Sequence, residues 1–253
     1  MSAEIKGPGL LYVNSKIASD LLNEETYIKW YSQDHIPEIL ETSGVESSLR
    51  FKDVSPDADK PNLVLYPMKD IGFTQGEEFK KIRVHSDILP NKGPIYDLAD
   101  IDVRYYGLTQ VYDPKGTKPG QTKLVLTAGM ELGPNVTFED FDNWYRKEHL
   151  DELSRCPNYL RTTRFKLLYH RTNVSSRILK GLPPRPQDKD QEIKVPPTYL
   201  ALHEFDTESP DWGEIMKTAE TEWSKRILGS VVRMETPVFR FVEGYGDGMF
   251  FME

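Results

Sequence analysis

The chain has a single cysteine, Cys156, in 253 residues. One thiol closes no internal disulfide, so nothing in the cysteine usage points to an oxidising compartment. There is no apolar run of the ~20 residues that a bilayer-spanning helix needs. The start, MSAEIKGPG, does not read as a secretory signal. Without that context the sequons at Asn135 and Asn173 read as accidental. Positive charge is also scarce: 32 Lys and Arg stand against 40 Asp and Glu, a net charge of −8. So acidic a chain has no electrostatic means of tracking phosphate backbones or an anionic lipid surface. Neither nucleic acid nor a membrane is expected as a partner, and a cytoplasmic location is.

Motifs for bound groups are missing as well. No HxxxH or CxxC occurs, so no metal is expected. No glycine-rich phosphate loop follows a strand, and no GxSxG nucleophile elbow is present. Cys156, just before Pro157, reads as a packed thiol. The expectation is no cofactor, although sequence alone leaves His35 open as an axial haem ligand.

What the chain does have is a repeat. WYSQDHIPEI begins at Trp30 and WYRKEHLDEL at Trp144, 114 positions on. At that same shift Trp30, Tyr31, His35 and Glu38 match Trp144, Tyr145, His149 and Glu152. The RFK at Arg50 matches the RFK at Arg164, and LLYV at Leu10 aligns with LVLT at Leu124. One register across three separated segments is the signature of duplication. Each copy reads as strand, helix, strand, strand, helix, strand. The second helices are expected over GEEFKKIRVHSDIL and DWGEIMKTAETEWSKRIL. The fold class predicted is α+β, as tandem ferredoxin-like βαββαβ repeats, each an antiparallel sheet with both helices on one face. The boundaries predicted are 1–113 for the first repeat, 114–123 for a Gly/Pro linker and 124–253 for the second. The apolar strands require the open sheet faces to be covered, which the two sheets achieve by packing on each other.

This tandem pattern, with its aromatic-rich helix, resembles the dimeric α+β barrel superfamily, and most of all its EthD-like branch with two barrel halves fused in one chain. The resemblance spans nearly the whole chain as a pattern, but its specific motif is short. The aromatic pair, the histidine and the proline one residue further are matched by Trp30, Tyr31, His35 and Pro37; the second copy has Asp151 in the proline's place. The resemblance implies an intramolecular pseudo-dimer, with a homodimer through outer surfaces left open. It also implies a cofactor-independent enzyme of cyclase, isomerase, decarboxylase or monooxygenase type. Its substrate would be a small apolar carbonyl or polyketide-like aromatic compound. The alternative is a non-catalytic small-ligand-binding or stress-related protein of the same fold, or a cluster that is only core.

In the enzymatic reading His35 shuttles a proton, since an ordinary imidazole titrates near neutral pH. Tyr31, one helical turn earlier, orients the proton or binds the substrate oxygen. Trp30 packs the wall, and Tyr27, Arg50, His149, Tyr145 and Trp144 are candidate substrate contacts. Arg50 and Arg164 could position an anionic or enolate oxygen, but the expectation for both is a solvent-facing or salt-bridged strand residue. If there is one centre, it is expected at His35: Pro37 interrupts its helix, whereas Leu150 and Asp151 let the other helix continue regularly. The charged neighbours of His149 point to a solvated face. Finally, residues 171–197 of the second copy, RTNVSSRILKGLPPRPQDKDQEIKVPP, hold five of the chain's 18 prolines. Such a stretch is either a lid or a tolerated insertion, and the latter is the expectation.

Overall fold

Short alternating or continuous apolar runs set the strands, and small polar caps set the helix starts. The computed structural model describes residues 4–183, 185, 188, 194–247 and 251. Part of the Pro-rich stretch (184, 186, 187 and 189–193) and residues 1–3 of the chain start therefore lie outside the described residues. The fold is mixed α/β, and contacts divide the chain into two compact units. The first comprises Met1–Gly107, Leu168–Pro196 and Val242–Met249; the second comprises Leu108–Leu167, Pro197–Phe241 and Phe250–Glu253. The boundaries expected from the repeat run in sequence order, whereas each unit is assembled from separated stretches. Among the described residues no helix is long and apolar enough to cross a membrane.

In the first unit, β1 (Gly9–Ile17) lies between β3 (Asn62–Met68) and the start of β4 (Ala99–Tyr112), and β2 (Ser47–Asp53) flanks β3. All pairings are antiparallel, giving the order β4-β1-β3-β2. Between β1 and β2 runs a helical stretch of three parts: α1 (Glu24–Trp30), a π-helical turn (Tyr31–His35) and α2 (Ile36–Leu40). Asn23 starts it by accepting from the Thr26 N–H, with Glu24 and Glu25 favourably placed at the positive helix end.

The second helix expected in this copy does not form. Only α3 (Glu77–Lys80) is α-helical in that stretch, followed by a 3-10 turn at Pro90–Lys92 and by α4 (Ile95–Leu98). Between them β-branched Ile82, Val84 and Ile88 alternate with turn formers, and Asn91, Lys92 and Gly93 take positive φ. Such residues favour extended and turn conformations over a helix. The apolar members pack on the unit's core all the same.

In the second unit β5 (Leu124–Leu132) pairs with β7 (Tyr199–Phe205), which pairs with β6 (Tyr159–Arg171). The other edge of β5 carries both β8 (Val231–Glu235) and β9 (Val238–Gly246). The helical stretch again has three parts: α5 (Phe138–Trp144), a π turn (Tyr145–His149) and α6 (Leu150–Ser154). The single second helix expected here is two, α8 (Trp212–Lys217) and α9 (Glu222–Leu228). They are separated because Thr221 caps α9, accepting from Ser224 N–H, and so begins a new helix.

Trp30 and Trp144 are 2% and 0% exposed. Replacing either with Ala leaves a cavity in a core, and urea denaturation of each variant should show a loss of roughly 3–5 kcal/mol. Losses under ~1 kcal/mol at both would mean that these aromatics hold no packing role.

Candidate functional site

The site begins with one widened turn. In each copy the helix admits an extra residue after the Trp–Tyr pair: Ile36 N–H donates to the Tyr31 carbonyl, and Leu150 N–H to that of Tyr145. Residues five apart on an α-helix lie about 140° apart around its axis and cannot meet. The π turn removes that separation. The imidazole of His35 stacks on Trp30 at 4.5 Å between centroids and 16° between planes. The same pair in the second copy, Trp144 and His149, stacks at 4.3 Å and 19°. Each ring also meets the tyrosine edge-on, Tyr31 at 5.6 Å and Tyr145 at 5.4 Å. Pro37 is not the cause, because Asp151 follows an identical turn, and the regular helix expected at His149 is corrected on this point.

The copies differ in what surrounds the ring. In the first unit a cavity of about 390 Å³ opens beside it, inside the ~300–1,000 Å³ span of small-molecule sites. Trp30, Tyr31 and the half-buried His35 line it from the helix, Leu11, Tyr66 and Tyr105 from the sheet. Ile82 and Val84 of the irregular segment form another wall. In the second unit the space beside Tyr145 and Arg164 is about 10 Å³ and does not touch His149, too small for more than about one water. Here α9 fills the volume: Trp144 Nε1 donates to Ser224 Oγ at 3.0 Å, and Ile227 is fully buried. His149 is 9% exposed, not on a solvated face, and lies 6.2 Å from the buried ring of His203.

Of the residues expected to form a site, Trp30, Tyr31 and His35 meet at the cavity; Tyr27, Arg50, Trp144, Tyr145 and His149 do not line it. Tyr27 sits behind Tyr31 and bonds Ser15 Oγ at 2.6 Å. Arg50 is buried and donates to Ser32 Oγ at 3.0 Å and Tyr245 Oη at 3.3 Å, with Glu243 at 3.5 Å. Arg164, also buried, pairs with Asp142 at 2.9 Å and lies 4.0 Å over the Tyr145 ring. Neither arginine faces solvent. Cys156 is buried, as expected, and its thiol is pushed up by that burial. No group of three or more His, Cys, Asp or Glu suited to a metal occurs among the described residues.

The insertion also takes part, which the sequence reading did not foresee. Arg171, at the end of β6, lines the first unit's cavity, as do Leu179 and Lys180 at the end of α7 (Asn173–Leu179). The docking is specific. Asn173 donates to the Tyr96 carbonyl at 3.0 Å and accepts from Ile101 N–H at 3.3 Å. Lys180 Nζ donates to the carbonyls of Lys80 and Ile82 at 2.7 and 2.8 Å. One signal was available: Thr172 precedes a short helix-compatible run and caps it through Ser175 N–H.

Burial sets the charge states. His35 is lowered to about 4 by desolvation, with Lys180 and Arg83 adding to the effect and Asp34 opposing it. His149 is lowered to about 4 by desolvation against a backbone bond to Thr218, and His203 to about 3 by desolvation and by His149. Tyr31 is pushed well above 10 by burial and stays a phenol. At neutral pH the site thus presents a neutral imidazole whose Nδ1 has no hydrogen-bond partner, beside a protonated hydroxyl.

No family model matches the chain. Core atranone cluster (CAC) protein 1 of Stachybotrys chlorohalonatus is 28% identical over 203 residues, 79% of this chain and 82% of its own length. Among solved structures, an anthrone oxidase-like protein aligns with a TM-score of 0.51 at 15% identity, over 95% of this chain and 94% of its own. A monooxygenase-like protein from Fusobacterium nucleatum aligns at 0.56 and 10% identity, over 95% and 94%. Another from Lactobacillus acidophilus aligns at 0.54 and 12%, over 96% and 97%. These neighbours are dimeric α+β barrel proteins, and at such identities the likeness shows the fold.

Three histidines held neutral by desolvation have a consequence in acid. Their folded pKa values, about 4, 4 and 3, lie below the ordinary 6.5, so the unfolded chain binds more protons and stability falls as pH drops from 6.5 toward 4. Replacing His149 with Gln should flatten the dependence by up to one proton's worth, about 1.4 kcal/mol per pH unit. Urea midpoints between pH 4.5 and 7 check this; an unchanged slope would mean that His149 does not titrate on unfolding.

Proposed function

We propose that the first unit carries a cofactor-independent acid/base site acting on a small, largely apolar carbonyl or polyketide-like aromatic compound. One observation carries the reading: a largely apolar cavity of about 390 Å³ is lined by His35 together with Tyr31 and Trp30. His35 takes a proton from an activated C–H or O–H of the bound compound and returns it at another position. Tyr31, held as a phenol, donates to the developing enolate oxygen, the position at which a fixed donor lowers a barrier most. Trp30 holds the imidazole plane by stacking and excludes water behind it. Desolvation keeps the ring neutral, so it stands ready as an acceptor.

The relatives support the chemical class. They include a protein of the core atranone cluster, an anthrone oxidase-like protein and monooxygenase-like proteins. We further infer that the two units are fused copies of one ferredoxin-like unit of the EthD-like kind. Supporting this are the common repeat register, the sheet orders β4-β1-β3-β2 and β9-β5-β7-β6, and the two superimposable Trp–His stacks. In this reading the second copy kept the stack as core and lost the cavity.

Proton exchange tests the site without knowledge of the complete reaction. With anthrone as probe, loss of the methylene ¹H signal in deuterated buffer is followed by NMR. The protein should accelerate it; His35→Ala should lose about a hundredfold of that acceleration, and His149→Ala should keep it. A loss confined to His149→Ala would reverse the assignment, and equal losses would mean two sites. Binding with no acceleration would favour the non-catalytic ligand-binding role.

A further inference from the structure

The first unit's cavity has a charge opposite to that of the chain. The protein is −8 overall, yet among the described residues no Asp or Glu lines the cavity, whereas Lys80, Arg83, Arg171 and Lys180 do. Three of these four have partners. Lys80 pairs with Glu77 at 2.7 Å, and Arg83 with Asp34 and Glu38, each at 2.9 Å. Lys180 is held by the two backbone carbonyls of Lys80 and Ile82. Arg171 stands apart. It is 8% exposed, no carboxylate pairs with it among the described residues, and its Nε has no hydrogen-bond partner. Its guanidinium carbon lies 5.4 Å from the ring centroid of Tyr105, which also lines the cavity.

An unpaired buried cation is costly. With no carboxylate pairing with it among the described residues, this guanidinium favours a counter-charge from a bound group. The position is also built. Arg171 precedes the Thr172 cap of α7, and both polar atoms of the Asn173 amide are fixed to the backbone of Tyr96 and Ile101. The guanidinium is therefore placed by a docked helix, in a wall otherwise supplied by Tyr96, Tyr105 and Leu168. Its five donors match an oxyanion better than any other small group.

We propose that the molecule bound in this cavity is an anion: an apolar, aromatic-sized body bearing one ionised oxygen acid, a carboxylate or an acidic enolate, which Arg171 receives. Lys180 adds positive potential at the same end of the insertion. This rests on reading the cavity as a ligand site, and it adds the sign of the ligand's charge and the residue that selects it.

The test uses the full chain and three probes of one shape, measured by calorimetric titration at pH 7: 2-naphthoate, a nitronaphthol acidic enough to be ionised, and neutral 2-naphthamide. At least one anion should bind about tenfold or more tighter than the amide. Which of the two gains identifies the carboxylate or the enolate type. Arg171→Met should bring the anions to the level of the amide while the amide stays within about twofold, and Arg171→Lys should keep part of the preference. Equal binding of all three by the unaltered protein overturns the proposal, a result that needs no variant to fold. Preference surviving in a folded Arg171→Met protein overturns the assignment to Arg171. Binding of none overturns both this and the ligand-site reading; binding of the amide without preference overturns only the anion.

Discussion

The stack of an indole on an imidazole five residues further along is the constraint from which the rest follows. A regular helix keeps such residues apart; only a turn with one more residue brings them into contact. Once the turn is widened, Trp and Tyr, adjacent in sequence, both face inward and are both at most 2% exposed in each copy. The histidine is thereby fixed in plane and depth before any ligand is considered. Desolvation then keeps it uncharged. Geometry and protonation state thus have one origin, in five residues of sequence.

Much of this was legible beforehand. The repeat register identified the two helical stretches, and the strand pattern identified β1 to β7 and β9 but not the short β8. The aromatic pair and histidine were singled out, and the first copy's trio does meet at a cavity. The explanation offered for the histidine's placement was incorrect. Pro37 has an evident local effect and drew attention, but the identical turn preceding Asp151 shows that the stacking partners, not the proline, set the geometry. Arg50 and Arg164 were legible as repeated charges, yet sequence does not show that both are buried in ion pairs. The expected second helix of the first copy failed because Ile82, Val84 and Ile88 satisfy the core from an extended, turning chain. Periodicity cannot distinguish that from a helix when only a few apolar positions are involved.

The two Trp–His stacks stand in different surroundings, beside a cavity in the first unit and in closely packed chain in the second. In the second unit two capped helices bring Ser224 and Ile227 against Trp144, and little space remains. In the first unit the corresponding chain is irregular, cannot pack as closely against the aromatic layer and leaves a cavity. Dense packing is the ordinary state of a protein interior, so the empty volume, rather than the histidine, is the more informative difference between the copies.

The docking of α7 also bears on when the cavity comes into being. Contacts at its end join residues of the first unit that are far apart in the chain: Lys180 reaches the carbonyls of Lys80 and Ile82 across 100 and 98 positions. Pairing over such separations is slow to form, and domains emerge from the ribosome from the N-terminal end onward. A nascent chain that has made β1 to β4 therefore holds an aromatic layer with one wall missing, its tyrosines open to water. The pocket is closed only after β6 and α7 have been synthesised and have folded back. Closure of the cavity and synthesis of α7 are then linked, and a chain that stalls before α7 has a stack but no container.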